Sequence, residues 1–114
     1  MEEIARAFSE HRFAETYPHL APAVRWTNIG AESFTGREAI VDACDRSAAY
    51  LAGVTTTSGY VRTVVGETAV VVDTRTQYTD PDGGTSHVAS CDIYEFADGQ
   101  VVEITSYTVE LRNT

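Results

Sequence analysis

A change of pattern at Gly53 constrains the fold of this chain more than any other feature of its sequence. Residues 1–52 are rich in Ala, Glu and Arg, whereas residues 54–112 are rich in Val, Thr and Tyr and are interrupted by turns. Helix-forming residues followed by strand-forming residues predict an α+β fold with helices on one face of an antiparallel sheet. Because no repeat or linker divides the chain, we expect one domain over residues 1–114.

Three helices are predicted before the change of pattern. Apolar residues at helical spacing indicate a first helix over 2–10 and a second over about 12–20, which Pro18 should shorten or distort. The third and longest helix begins at residues 35–38, where a threonine followed three residues later by a glutamate has the pattern of a capping box. Its inner stripe continues to about Leu51.

The second half of the chain predicts a meander of long strands. An Asp-Gly pair between two β-rich segments is a strong hairpin signal, and one occurs at Asp98 and Gly99. Four strands and an earlier extended segment are expected, over 23–29, 55–65, 69–79, 86–96 and 101–111. Strands of this length can curve and wrap around a helix.

The alternation of side chains along a strand assigns each residue to one of two faces. The more apolar set should face the helices: Val70, Val72, Thr74, Thr76, Tyr78, Val88, Ser90, Asp92, Tyr94, Phe96, Val102, Ile104, Ser106 and Thr108. Asp92 is the one acid of this set in the middle of a strand, which makes it a candidate for proton transfer or hydrogen bonding to a carbonyl. The alternative is a structural acid bonded to Tyr17, Trp26 or a backbone amide.

The opposite face of the sheet is only half polar. It carries Val71, Ala89, Cys91, Ile93, Val101, Tyr107 and Val109. The sheet is apolar on both faces, but the predicted helices can cover only one of them. A homodimer through the outer sheet face is therefore predicted. The alternative is a surface with scattered apolar residues, which is common in monomers.

Charge and composition exclude several classes of partner. With 8 basic and 17 acidic residues, the net charge is −9, which argues against binding to nucleic acid or to an anionic membrane. The chain contains no apolar segment of transmembrane length, and its acidic start is unlike a signal peptide, so we expect a cytoplasmic protein. No metal is expected, because the three histidines lack metal-ligand spacing. No cofactor is expected either, because phosphate-loop and dinucleotide motifs are absent.

The order of the elements and three local stretches resemble the nuclear transport factor 2-like superfamily, which includes SnoaL-like polyketide cyclases and ketosteroid isomerases. These stretches are the tryptophan-containing strand 23–28, the helix entry 34–40 and the hairpin 91–103. The resemblance implies a cystatin-like cone, in which a curved antiparallel sheet wraps around a long helix that follows two short N-terminal helices. It also implies a pocket at the wide end and, in many members, a dimer through the outer sheet face.

The resemblance places Asp92 where ketosteroid isomerases have the protonated aspartic acid of their oxyanion hole, and where SnoaL-like cyclases have an acid that looks like a general acid/base. The isomerase's general base would fall at Thr27 and its tyrosine near Ile4, so authentic ketosteroid isomerisation is not expected. Asp73 and Arg75 could imitate part of the limonene epoxide hydrolase site. Their parity instead places them outside, as a cross-strand ion pair.

The leading hypothesis is a small-molecule pocket protein of the SnoaL-like type. If it is an enzyme, we expect a cofactor-independent isomerase, lyase or cyclase that acts on an apolar carbonyl compound, with Asp92 as acid/base. His19 is the one histidine considered as a partner in that chemistry. The expected pocket-lining residues are Tyr17, His19, Trp26, Asn28, Tyr78, Ser90, Tyr94, Ile104 and Ser106. A non-catalytic ligand-binding module and a dimerisation domain with a vestigial pocket are the alternatives.

Overall fold

The computed structural model describes residues 1–111, which form an α+β fold. The helices are α1 (Glu2–Ser9), a 3₁₀ helix (Phe13–His19) and α2 (Arg37–Leu51). The strands are β1 (Leu20–Asn28), β2 (Ser33–Thr35), β3 (Thr55–Val65), β4 (Ala69–Thr79), β5 (Thr85–Ala97) and β6 (Gln100–Leu111). None of the helices within residues 1–111 has the length and apolar character needed to cross a bilayer.

The strands form one open sheet in the order β2-β1-β6-β5-β4-β3. The expectation of a wholly antiparallel sheet is corrected at one pairing, because β1 runs parallel to β6, whereas the other pairings among the described residues are antiparallel. The reason is topological. α2 carries the chain from β1 to the far edge at β3, and the meander then returns β6 beside β1 in the same direction. The remaining α+β architecture, with helices packed against one face of the sheet, is confirmed.

The entry to α2 differs from its prediction. Thr35 is the last residue of β2 and pairs with Arg25 of β1, so its backbone is extended and its side chain makes no cap. Gly36 occupies the N-cap position instead, with φ 94° and no side-chain hydrogen bond. This φ lies in the left-handed region that favours glycine. The predicted capping box is therefore wrong, because pairing with β1 determines the conformation of Thr35.

The hydrophobic core lies between the inner sheet face and the helices. Its buried members are Ala5, Phe8, Phe13, Leu20, Val24, Ile40, Cys44, Val70, Val72, Tyr94, Phe96, Val101 and Ile104. The assignment of faces by parity is confirmed for most strand residues but is wrong for Val101, which is 1% exposed. A register shift in the β5–β6 pairing, between Glu95 and Phe96, turns Val101 inward. An inserted residue of this kind reverses the facing of the side chains beyond it.

Candidate active site

A cavity of about 960 Å³ lies between the inner sheet face, α1 and α2. Its volume is within the range of ligand sites, roughly 300–1,000 Å³. The exposed residues Ile29, Glu32, Tyr50 and Asp80 surround its mouth. The buried end of the cavity is formed by α1 and by the middle of the sheet.

The walls of the cavity have two different chemistries. Phe8 makes edge-to-face contacts with Phe13, Trp26 and Tyr94, at ring-centroid distances of 5.1, 5.0 and 5.8 Å, and so forms an aromatic wall. The sheet contributes the hydroxyl groups of Thr74, Thr76, Tyr78, Ser86, Ser90, Ser106 and Thr108. The cavity therefore offers a ligand both aromatic side chains and hydrogen-bonding groups.

Asp92 lies in the middle of β5, opposite Val72 of β4 and Ser106 of β6. Two chains of hydrogen bonds converge on its carboxyl group. In the first, the Tyr94 hydroxyl lies 2.6 Å from Ser9 Oγ, and Ser9 donates to Asp92 Oδ2 at 2.7 Å. In the second, the Trp26 indole N–H donates to Ser106 Oγ at 2.9 Å, and Ser106 lies directly opposite Asp92 on β6, where its hydroxyl lowers the pKa of Asp92.

The surroundings of Asp92 act on its pKa in opposite directions. Burial raises the pKa, because it disfavours the charged form. The opposite effect comes from groups that stabilise the carboxylate, which are the hydrogen-bonding side chains of Ser106, Ser9 and Tyr94 and the nearby His11. Burial has the larger effect, so the pKa of Asp92 lies above 3.8, the ordinary value for an aspartate. A carboxyl group with a raised pKa holds a proton more readily than an exposed aspartate does.

His11 follows α1 and terminates it with unusual backbone geometry. The Arg12 N–H bonds to the Ala7 carbonyl and the His11 N–H to the Phe8 carbonyl, which is the Schellman arrangement. His11 occupies the position that glycine favours, with φ 65°. A non-glycine residue in this conformation costs about 1–2 kcal/mol. Strain of this kind is found at functional positions more often than elsewhere.

The side chain of His11 reaches into the cavity. Its Nε2 lies 2.9 Å from the Tyr78 hydroxyl on β4, and its Nδ1 is buried without a hydrogen-bond partner among residues 1–111. Burial lowers the pKa of His11, against the opposing charge of Asp92. Burial and the charge of Asp92 both raise the pKa of Tyr78. His11, Tyr78 and Asp92 therefore share one electrostatic environment.

The structure brings six of the predicted site residues together around this cavity. They are Trp26, Asn28, Tyr78, Ser90, Asp92 and Ser106. Tyr94 and Ile104 are fully buried in the core beneath it, where Tyr94 still reaches Ser9 and Asp92 through its hydroxyl. No hydrogen bond joins Asp92 to Tyr17 within residues 1–111, and Trp26 reaches it through Ser106.

The placement of Tyr17 and His19 in this cavity is corrected. Residues 13–19 form a 3₁₀ helix with Pro18 inside it, so the α-helical spacing used for the prediction does not apply. The Tyr17 hydroxyl instead donates to Asp45 Oδ1 of α2 at 2.7 Å, beside a separate groove. His19 is exposed at the end of the 3₁₀ helix.

Sequence reasoning missed two polar contributors, Ser9 and His11. Both lie at the end of α1, and the pattern of a short amphipathic helix does not show what its last turn contacts. The one available signal was the absence of glycine where α1 ends.

Within residues 1–111, no group of three or more His, Cys, Asp or Glu side chains could hold a metal ion.

Asp73, the other mid-strand aspartate, lies outside the cavity. Arg75 contacts Asp73 Oδ1 at 2.6 Å, and Arg62, directly opposite on β3, contacts Oδ2 at 3.4 Å. The predicted outward placement of Asp73 and Arg75 in an ion pair is confirmed, but their own contact lies within β4, and the partner across the strands is Arg62. Asp73 and Arg75 therefore do not contribute an epoxide hydrolase arrangement to the cavity.

The comparison with known families agrees with this fold. The profile of the SnoaL-like domain family matches residues 1–104 of the chain. The chain belongs to the SnoaL-like domain family. The resemblance to the nuclear transport factor 2-like superfamily, of which SnoaL-like domains are members, is confirmed.

Solved structures with the SnoaL-like fold include proteins with different described activities. An NTF2-like protein of unknown function from Cytophaga hutchinsonii is 28% identical, covers 95% of each chain and has a TM-score of 0.83. A candidate SnoaL-like polyketide cyclase from Jannaschia sp. is 21% identical over 94% of this chain and 83% of its own, with a TM-score of 0.68. An LEH-like epoxide hydrolase from M. tuberculosis is 16% identical over 91% and 75%, with a TM-score of 0.68. Among functionally curated proteins, none matches the chain by sequence.

Proposed function

We propose that this SnoaL-like domain binds a small carbonyl compound in its cavity and catalyses a cofactor-independent isomerase, lyase or cyclase reaction, with Asp92 as the proton-transfer group. The observation that carries the proposal is the position of Asp92. It is a largely buried carboxyl group on the cavity wall, it is approached by two chains of hydrogen-bond donors, and its pKa is raised by burial. Groups in this setting occur at catalytic sites more often than at structural ones.

The direction of the hydrogen bonds favours Asp92 as a general base. Ser9 donates to Asp92, and Ser106, which receives a hydrogen bond from the Trp26 indole and keeps its own proton free, faces Asp92 from β6 and lowers its pKa. Donors of this kind stabilise the carboxylate. An oxyanion-hole acid must be neutral and must itself donate, as in the ketosteroid isomerases named above. Two donors aimed at Asp92 oppose that role.

The proposed first step removes a proton from a carbon next to the ligand's carbonyl group. The proton passes to Asp92, and the electron pair moves through the carbon–carbon bond onto the carbonyl oxygen, which becomes an enolate. Return of the proton to another carbon completes an isomerisation. In a lyase reaction, the enolate electron pair forms a carbon–carbon double bond, and the β-substituent leaves with its bonding pair and takes the proton from Asp92. In a cyclisation, the enolate carbon attacks a second carbonyl group of the same molecule, and the resulting alkoxide takes the proton from Asp92. The Asn28 amide on the cavity wall is a candidate donor to the enolate oxygen.

The two walls of the cavity narrow the class of ligand. The aromatic wall around Phe8 favours a flat ring system. The hydroxyl groups on the sheet favour oxygen substituents on that ring, so a purely apolar compound would leave them without partners. We therefore propose an oxygenated ring compound rather than the apolar compound expected from the sequence.

Deuterium incorporation into 2-tetralone, a bicyclic ketone with one aromatic ring and acidic α-protons, tests the proposal. In D₂O, the wild-type protein should accelerate exchange, and Asp92→Asn should lower the rate at least about 100-fold, the range expected for a lost general base. Asp73→Asn is the matched control, because it makes the same change on the outer face of the neighbouring strand. Exchange by Asp92→Asn at the wild-type rate would contradict the proposal.

A non-catalytic ligand-binding protein is the second candidate. The observation that favours it is the nature of the groups bonded to Asp92, which are hydroxyl groups rather than a second acid or base. Ligand-dependent stabilisation by 2-tetralone without deuterium exchange would support this candidate over an enzyme. The volume of the cavity, about 960 Å³, weighs against the vestigial pocket of a pure dimerisation domain.

We also propose a homodimer through the outer sheet face. Tyr107 and Val109 are 45% and 59% exposed on that face, and Val71 and Ile93 lie half-buried beside them. Light scattering after size-exclusion chromatography should give twice the chain mass of 12.4 kDa for the wild type. Val109→Glu should shift the mass toward a monomer, and a monomeric wild type would contradict the proposal.

A further inference from the structure

Tyr78 is a second polar group of the cavity, separated from Asp92 along the sheet. Val72 of β4 lies opposite Asp92, and Tyr78 is the third inward-facing residue after Val72, toward the exposed end of the strand. The Tyr78 side chain is half-buried and lines the cavity. Among the described residues, its hydroxyl contacts His11, with 2.9 Å between Oη and Nε2.

The surroundings of His11 determine which partner donates in this bond. If Tyr78 donated to Nε2, Nδ1 would carry the proton of the neutral ring and would be a buried N–H without a partner. If Nε2 donates to Tyr78, Nδ1 is a bare acceptor. Unpaired buried N–H groups are rarer than unpaired acceptors, so the Nε2–H form is favoured. The Tyr78 oxygen then accepts from His11, and its own proton remains available to the cavity.

The backbone of His11 supports a specific use of this side chain. His11 takes the left-handed position at the end of α1, with φ 65°, where glycine would be unstrained. Glycine would have no side chain to reach Tyr78. Histidine at this position is less favourable for the helix end than glycine, but it brings Nε2 within hydrogen-bonding distance of Tyr78 on β4.

We propose that Tyr78 is a ligand-binding hydrogen-bond donor and that His11 is a positioning residue that directs the Tyr78 proton into the cavity. The ligand then carries a second acceptor oxygen in addition to the carbonyl group whose neighbouring carbon gives its proton to Asp92. This inference rests on the proposed function of the cavity as a ligand site. It adds to that proposal the requirement for two oxygen-bearing positions on one ring system.

The tautomer of His11 provides the first test. Long-range ¹H–¹⁵N correlation spectra at pH 7.5 distinguish the two neutral forms of histidine, and the His11 signals are assigned by their loss in His11→Asn. We expect a neutral ring with its proton on Nε2. A proton on Nδ1, or a charged ring, would overturn the positioning role.

Binding of a matched pair of probes provides the second test. The probes are 2-naphthol, with one oxygen, and 2,6-dihydroxynaphthalene, with two. The wild-type protein should bind the second compound about fivefold more tightly, which is the effect of one net hydrogen bond. Tyr78→Phe should abolish this preference and leave the affinity for 2-naphthol nearly unchanged.

Variants of His11 separate positioning from mere packing. His11→Asn tolerates the left-handed backbone but is too short to reach Tyr78, so it should lose the preference for the dihydroxy compound. His11→Gln keeps an N–H donor near the position of Nε2 and should restore most of the preference. His19→Asn is the control, because His19 is exposed and lies outside the cavity. A preference that survives in Tyr78→Phe would overturn the donor role of Tyr78, and one that survives in His11→Asn would overturn the positioning role of His11.

The outcomes distinguish this inference from the proposed function. Equal binding of the two probes to the wild type would contradict the inference alone. Failure of both probes to bind would contradict the ligand site as well. Loss of deuterium exchange in Asp92→Asn together with a retained probe preference in Tyr78→Phe would support the proposed function and contradict the role of Tyr78.

Discussion

Two aspartates on adjacent strands of one sheet differ in their surroundings: one is held in surface ion pairs, and the other is largely buried on the cavity wall. Asp73 on β4 pairs with Cys91 of β5, and Asp92 of β5 pairs with Val72, so the two acids are one residue apart in register and face opposite sides. Asp73 is neutralised by Arg62 and Arg75. Asp92 is held by neutral hydroxyl groups, and burial raises its pKa. Both residues are aspartates in the middle of a strand, so residue type and position do not distinguish them. The uncharged surroundings of Asp92 are what make it the candidate for proton transfer.

The largest effect is expected from the aromatic wall beside Asp92. Phe8 is 4% exposed and contacts three other rings, so Phe8→Ala should lower the free energy of unfolding by about 3–5 kcal/mol. Tyr107 is 45% exposed on the outer face, and Tyr107→Ala should cost under about 1 kcal/mol. Urea unfolding at low protein concentration measures both. Equal losses would remove the distinction between the two faces.

The hydrogen-bonded chain through Ser9 is the next point at which the comparison can be tested. Ser9→Ala removes a donor to Asp92 and the nearest partner of the buried Tyr94 hydroxyl, so it should cost about 1–3 kcal/mol in the free energy of unfolding. It should also raise the pKa of Asp92 further, which shifts the acid limb of a pH–rate profile to higher pH. Ser90→Ala is the control, because Ser90 lines the same cavity but belongs to neither series of hydrogen-bonded side chains. It should change neither the free energy of unfolding nor the pKa of Asp92 in this way.

Replacing Asp92 itself should stabilise the fold at neutral pH. A carboxyl group whose folded pKa lies above 3.8 opposes folding while it is charged, and this penalty disappears as the pH falls through the folded pKa toward 3.8. Asp92→Asn should therefore raise the Tm at pH 7, and the gain should shrink as the pH falls below the folded pKa. A lower Tm than the wild type at pH 7 would indicate that Asp92 is a structural acid.

The smallest effect is expected at Asp73. Its two arginine partners are 46% and 64% exposed, and surface ion pairs contribute about 0–1 kcal/mol. Asp73→Asn should therefore change the free energy of unfolding by less than about 1 kcal/mol, and 1 M NaCl should reduce the difference further. A change larger than that of Ser9→Ala would show that the outer acid matters more than the inner chain.

Much of the fold could be predicted because the signals were local. The change from helical to β pattern at Gly53 and the turn at Asp98 predicted the long strands to within one or two residues. The short strand Ser33–Thr35 was missed, and with it the true start of α2, because both depend on pairing with β1. The parallel pairing of β1 with β6 was missed for the same reason, since it joins segments that are distant in sequence.

The residues of the candidate site also fall into two groups, those that local sequence pattern predicted and those that tertiary contacts place there. Parity along the strands predicted the inward positions of Asp92, Ser106 and Tyr78 from local pattern alone. Ser9 and His11 were missed, because only tertiary docking brings the end of α1 against β4 and β5. The bulge that buries Val101 has no clear signal in a single sequence. Pro18 did predict a distorted helix over 12–20, but not where the distortion would place Tyr17 and His19.

The titration of the Asp92 carboxyl group tests the central claim most directly. A ¹³C-detected NMR titration, with the Asp92 signal assigned by its loss in Asp92→Asn, gives the pKa of the side chain in the folded protein. We expect a value above 3.8, because burial outweighs the hydrogen bonds from Ser9 and Ser106. A value at or below 3.8 would contradict the account, since Asp92 would then be an ordinary carboxylate that the structure stabilises in its charged form.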